Sequence, residues 1–288
     1  MEGSPGGAGA RPCPYPWMME GRTQADALEE GGMKMEPTRR PWYVEFFGED
    51  YLRLYKPVLT PERTALEVAL VVERLGLPPG SKILDLCCGH GRHAVPLADL
   101  GYHVTGLDLS RVFLDRARAA AQQAGVSVRW VHSDMRDIPF ENEFDAVINL
   151  FSAFAYLENQ AEDQKVLAQV HKALKPDGRF LIEIIHRESL MRRLLPFGIM
   201  RHDDGLLELE ERRFNLLTSR MEVHVTMIEP SGGRTEYNHA MRIYTLTELA
   251  GMVEAAGLRL EAYYGGLDGS ELTLDSRRMV LMARKPAD

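Results

Sequence analysis

The chain has 288 residues, 45% hydrophobic and 26% charged, a globular composition that excludes a fibrous or wholly disordered protein. Its formal net charge of −8 gives no general positive field to gather phosphate backbones, so nucleic acid is not an expected partner. Cys13, Cys87 and Cys88 are odd in number with two adjacent, which argues against a disulfide framework or a zinc site, and no apolar run reaches about 18 residues, so the expectation is a cytoplasmic protein with no metal and no membrane partner.

Residues 1–36 are rich in Gly and Pro and poor in large aliphatics, which predicts a disordered tail and leaves 37–288 as one folded domain. Next, Tyr43, Phe46, Phe47, Tyr51, Leu54 and Tyr55 recur at roughly helical spacing. Residues 60–75 read as an amphipathic helix with Pro61 in its first turn and Gly76 at its end. A short apolar strand at 82–86 leads into a glycine loop at 89–91 and a helix at 92–100. A second strand at 103–107 precedes a helix capped by Ser110 and stopped by Gly125. Strands at 128–132 and 144–150, a helix at 160–174, a turn at 175–178 and a strand at 180–185 continue the alternation, which implies a parallel sheet covered on both faces. The pattern then changes. Met221, Val223, Val225 and Met227 alternate with Glu222, His224 and Thr226, so 206–245 is read as an antiparallel flap inserted into the α/β domain. Thr245 and Glu248 form a candidate capping box, and strands at 258–264 and 277–284 close the chain.

Gly89, Gly91 and Ala94 match a G-x-G-x-x-A pattern, on its own a weak sign of a dinucleotide site. Asp85 sharpens it. A carboxylate four residues before Gly89 would repel a pyrophosphate in the loop and suits a ligand with a positive amino group instead. S-adenosyl-L-methionine carries an ammonium, a sulfonium and a carboxylate, the last of which can use backbone N–H groups of the loop. Asp108, about 20 residues further on beside Leu109, is placed to accept from ribose hydroxyls. Asp134, directly after the third strand, can accept from the adenine amino group, with Met135 adding a backbone N–H and an apolar contact. Each acid has a structural alternative: a cap or turn at Asp85, support for the Ser110 helix start at Asp108, a turn at Asp134.

Three acids ending three successive strands, the first followed by a G-x-G loop, resemble the class I methyltransferases that use S-adenosylmethionine, over roughly residues 43–285. The resemblance implies a Rossmann-like three-layer α/β sandwich with a mostly parallel seven-stranded sheet and an antiparallel last strand. It also implies that Cys87, Gly89 and Gly91 belong to the cofactor loop, that Leu150 in Asn149-Leu150-Phe151-Ser152 contacts the cofactor near its methyl group, and that Tyr51 and Tyr55 close over it. The segment 134–137, Phe151-Ser152 and the flap are similar to the amino-sugar N,N-dimethyltransferases. The activity implied is methyl transfer to an N or O atom of a small-molecule acceptor by in-line displacement. A base is required only for an acceptor that starts protonated, and Glu183 and His186 near the end of the fifth strand are the catalytic candidates, ahead of His224 and His239 on the flap. Two other readings share part of the pattern. An NAD(P)-dependent oxidoreductase would use the loop and Asp108 but leave Asp85 and Asp134 without a role, and a non-catalytic module would bind S-adenosylmethionine alone.

Overall fold

The apolar run at 82–86 becomes β1 (Lys82–Leu86), with four of its five residues buried, as a parallel strand covered on both faces requires. The computed structural model describes residues 41–287, and the expected tail at 1–36 lies outside them. β1 runs parallel to β2 (His103–Asp108) on one side and β4 (Phe144–Asn149) on the other. β3 (Arg129–His132) extends the sheet beyond β2, and β5 (Leu174–Ile185) extends it beyond β4. β11 (Arg278–Arg284) lies antiparallel between β5 and β10 (Arg259–Tyr264), giving the order β10-β11-β5-β4-β1-β2-β3. The chain order reverses between β1 and β4, so the carboxyl ends of β1, β2 and β4 open onto the crevice where such sheets bind ligands.

Successive strand residues point to opposite faces and separate two cores. Ile83, Ala146, Ile148 and Val280 pack against helices α3 (Pro61–Leu75) and α4 (Ala94–Asp99). Leu84, Val147, Met279 and Leu281 pack on the other face against α6 (Gln160–Ala173) and α8 (Leu246–Ala255). The expected caps are in place. Thr60 Oγ1 accepts from Arg63 N, Ser110 Oγ from Phe113 N at the start of α5 (Arg111–Ala124), and Thr245 with Glu248 forms a full capping box.

Four boundaries differ from the sequence reading. The aromatic stretch at 43–55 is two short helices, α1 (Trp42–Phe46) and α2 (Glu49–Tyr55), broken where Gly48 is extended. α4 starts at Ala94 instead of 92, because Gly91 sits in the left-handed region at φ +82° and cannot continue into a helix. β5 starts at Leu174, which pairs with Phe144. Residues 175–178 are absorbed as a register shift, with Asp177 at φ +63° donating its N–H to Lys285 O. The flap is a four-stranded antiparallel sheet, β6 (Phe197–Arg201), β7 (Leu207–Asn215), β8 (Arg220–Ile228) and β9 (Arg234–Arg242), and so begins at Phe197 instead of 206. A short helix α7 (Arg187–Arg193) precedes it. β6 is an edge strand with Phe197 and Ile199 exposed, so it lacks the polar–apolar alternation that marks β8.

The buried face of that alternation has a partner. Met221, Val223, Val225 and Met227 form a third core with Phe46 and Leu54 of α1 and α2, against which Tyr51, Tyr55 and Tyr156 pack. Arg53 of α2 is held by Asp204 and Glu229 of the flap, so the aromatic helices are fixed between the flap and the crevice.

Candidate active site

A cavity with about 1120 Å³ of empty space, its open mouth included, lies at the carboxyl ends of β1, β2 and β4. Nine of the eleven residues expected to bind the cofactor line it: Tyr51, Asp85, Cys87, Gly89, Asp108, Leu109, Asp134, Met135 and Leu150. The wall also includes His90 of the glycine loop and Phe151 of the segment expected beside the methyl group, together with Tyr43, Phe47, Arg92, Phe113 and Tyr156, which the sequence reading did not assign to it.

Asp85, the penultimate residue of β1, is almost wholly buried, and its Oδ2 has no hydrogen-bond partner. Burial pushes the carboxyl up to about 7, against the opposing pull of Arg92. An orphaned buried carboxylate is costly and calls for a donor, and an ammonium supplies one. Asp108 accepts from Gly89 N and Ser110 N, each at 2.8 Å, so it both fastens the loop to the end of β2 and starts α5. Asp108 thus supports the helix start and also lines the cavity, and burial still raises this carboxyl. For Asp134, burial is outweighed by Arg136, whose Nη2 lies 2.7 Å from Oδ2, and the group is held below the usual carboxylate range. Gly89, at φ +57°, has only the Phe113 ring 3.9 Å from where a Cβ would stand, which leaves backbone open for a ligand to approach. This donor and acceptor set fits a ligand with an ammonium, vicinal hydroxyls and an adenine edge.

Both thiols of the loop are pushed well up by burial, which leaves Cys87 and Cys88 protonated and unsuited to nucleophilic work. Four predicted site residues lie outside the cavity wall. Gly91 faces the other way: a Cβ there would stand 2.9 Å from Trp130 Cη2 and 3.0 Å from Ala117 Cβ, so glycine is needed for packing of the loop on α5 and β3. Gly91→Ala is expected to lower stability by about 2 kcal/mol, read as a fall in Tm, with ligand affinity of the folded fraction little changed. Tyr55 stands behind Tyr51, the rings stacked with centroids 4.4 Å apart. Glu183 is turned away from the cavity and accepts the backbone N–H of Phe151 at 2.9 Å. His186 is held between Ser276 O and Glu188, each 2.9 Å away. Of the flap histidines, His224 bonds Asn238, and His239 stacks on Phe46 with its imidazole pushed down to about 4 by burial.

The loop after β4 holds unusual backbone. Phe151, Ser152 and Ala155 have φ values of +59°, +60° and +76°, a region that costs a non-glycine residue about 1 kcal/mol or more. Besides the Glu183 bond, Ser152 N donates to Glu183 O, and Arg278 Nη1 donates to Ser152 Oγ at 2.7 Å. The strain is held where Leu150 and Phe151 reach the cavity.

Among known proteins, a methyltransferase-domain family matches residues 83–178. The chain is 30% identical to dTDP-3-amino-3,6-dideoxy-alpha-D-glucopyranose N,N-dimethyltransferase of Streptomyces fradiae, over 73% of this chain and 82% of that protein. It is 39% identical to an uncharacterized methyltransferase of Synechocystis over 49% of this chain, a match that spans 63% of that relative's length. Among solved structures, the methyltransferase CcbJ of Streptomyces caelestis superposes with a TM-score of 0.69 at 25% identity, over 77% of this chain and 89% of that one.

Proposed function

The chain belongs to the class I S-adenosylmethionine-dependent methyltransferases, and from that premise we propose that it methylates an amine nitrogen of a small-molecule acceptor by in-line displacement. When bound, S-adenosylmethionine supplies a methyl carbon on a sulfonium: the acceptor lone pair forms the N–C bond, the C–S electron pair goes to sulfur, and the acceptor proton leaves to water. Asp85 holds the ammonium of the cofactor, Asp108 its ribose hydroxyls, and Asp134 with Met135 its adenine. Leu150 packs beside the reacting end, and Tyr51 closes over it.

The lining beyond Leu150 carries the choice of nitrogen. It includes the rings of Phe151, Tyr51 and Tyr156 and, from the glycine loop, His90, whereas the carboxylate of Glu183 is committed to a backbone N–H. A desolvated amine sheds its proton near neutral pH because burial disfavours the ammonium, while an aliphatic hydroxyl would need a base in contact. The relative from Streptomyces fradiae, named for an N,N-dimethylation, supports the same choice. Incubating the full chain with methyl-labelled cofactor and paired amines and alcohols of matched skeleton tests it. Label is expected on nitrogen, and label confined to oxygen would overturn the reading.

A further inference from the structure

Asp163 is a buried acid that the cofactor site leaves unused. It stands in the first turn of α6 with no exposed surface; Tyr244 donates its hydroxyl to Oδ2 at 2.7 Å, and Oδ1 is buried without a partner. Facing it are Tyr244, Arg220 at the start of β8, Arg242 at the end of β9 and Glu158 just before α6. Burial outweighs the pull of Tyr244 and the two arginines and pushes the carboxyl up to about 6. A neutral amide would serve Tyr244 equally well without the cost of a buried charge, so the charge has another task.

The two arginines show what that task is. Arg220 donates to Leu157 O at 2.9 Å, to Glu158 O and to Ala240 O, and among the described residues no carboxylate lies within ion-pair distance of it. Burial works against its charge, and so does Arg242, while Asp163 leads the groups that support it. Arg242 has Glu248 at 3.1 Å for its own balance and gives its backbone N–H to Ala155 O at 2.9 Å. The base of the flap thus grips the carbonyls on either side of Tyr156. Ala153, Tyr156 and Leu157 line the cavity, and Ala155 sits at φ +76°, a conformation that lasts only while it is held.

We propose that Asp163 is a positioning residue of the cavity wall: its negative charge keeps Arg220 on Leu157 O and so sets Tyr156 where the acceptor is received. That an acceptor binds there rests on the methyl-transfer reading above; the hold on the wall does not. Once Asp163 takes up a proton, Arg220 loses its leading counter-charge beside Arg242. A half-buried guanidinium in that position gains by turning to water, which releases Leu157 O. The wall is therefore set above the pH at which Asp163 ionises and released below it.

Fluorine NMR of the full chain labelled with 3-fluorotyrosine reads the wall directly, the Tyr156 signal being the one missing from Tyr156→Phe. In the unaltered protein that signal is expected to move as pH falls from 8 to 5. Asp163→Asn keeps an acceptor for the Tyr244 hydroxyl and removes only the charge, so its Tyr156 signal is expected at the low-pH position throughout. Arg220→Gln is expected to give the same displacement, and the double variant no more than either. With the paired amines of the labelling experiment, transfer at pH 8 is expected to fall about tenfold in both single variants, with S-adenosylhomocysteine affinity within about threefold of normal. A Tyr156 signal unmoved by Asp163→Asn, a pH-dependent shift that persists in that variant, or a displacement absent from Arg220→Gln would overturn the proposal. So would undiminished transfer beside a displaced wall. If the unaltered protein labels no amine, the methyl-transfer reading falls instead, and the Tyr156 signal still decides the hold.

Discussion

Replacing Asp85 with asparagine is expected to weaken S-adenosylhomocysteine binding about 100-fold and, at pH 8, to raise the unfolding temperature of the ligand-free protein. The first effect follows from losing a charge-assisted bond to the ligand ammonium inside a buried site, roughly 2.7 kcal/mol. The second follows from the cost of burying the carboxylate without a partner for Oδ2. Burial lifts its pKa from the ordinary aspartate value of 3.8 to about 7, so the folded state favours the protonated acid. For an acid raised in this way the penalty is absent at low pH, grows as pH climbs from about 4, and is complete above about 7, where it reaches an upper bound of about 4 kcal/mol. Asparagine carries none of that penalty, so the gain in Tm should be seen at pH 8, shrink as pH falls and vanish by about pH 3. The same sign governs binding to the unaltered protein. Below pH 7 the acid must lose a proton to face an ammonium, so affinity should fall by up to about tenfold per unit as pH is lowered toward 5. Calorimetry at several pH values reads both. A flat profile together with an unchanged Tm would show that Asp85 is not the ammonium partner.

Asp85, Asp108 and Asp134 were legible in the sequence because each stands at the end of a strand recognisable from its own apolar run. Strand-end placement alone carries them to one crevice. The caps at Thr60, Ser110 and Thr245 were legible for the same reason, since a cap is set by neighbours three residues away. The surroundings of Phe151 follow another logic. Arg63, Arg92 and Arg278 come from a helix, a turn and the last strand, and only the closed sheet brings them around Phe151. Arg92 did leave a local signal, a cation directly after the glycine loop. The aromatic residues of α1 and α2 gave a spacing but no destination, because their role depends on a flap more than 150 positions later. Gly91 illustrates the reverse error. Its motif suggested ligand contact, whereas the Trp130 ring and Ala117 fill the space beside it.

The position of Glu183 at the end of β5 pointed to a base, and its hydrogen bond assigns it a different task. A base must touch the acceptor proton, but Oε2 of Glu183 is engaged by Phe151 N at 2.9 Å while its own backbone oxygen takes the N–H of Ser152. Those two contacts hold consecutive residues at φ +59° and +60°, a geometry that relaxes once unsupported. Glu183→Ala leaves a buried N–H unpaired and frees the Phe151 ring from its three guanidiniums, so the wall of the acceptor space loses its shape. Displacement of about 1 Å at a reacting centre costs on the order of 100-fold, and that loss is expected in kcat, with S-adenosylhomocysteine affinity within about threefold of the unaltered protein. Glu183→Gln separates positioning from proton transfer. Its amide oxygen accepts the same Phe151 N–H but cannot take a proton at neutral pH, so turnover within about fivefold of normal and an unshifted pH–rate profile are expected. Equal collapse of the Gln and Ala variants would restore Glu183 as the base. Retention in Gln with loss in Ala makes it the residue that holds the strained loop against the acceptor.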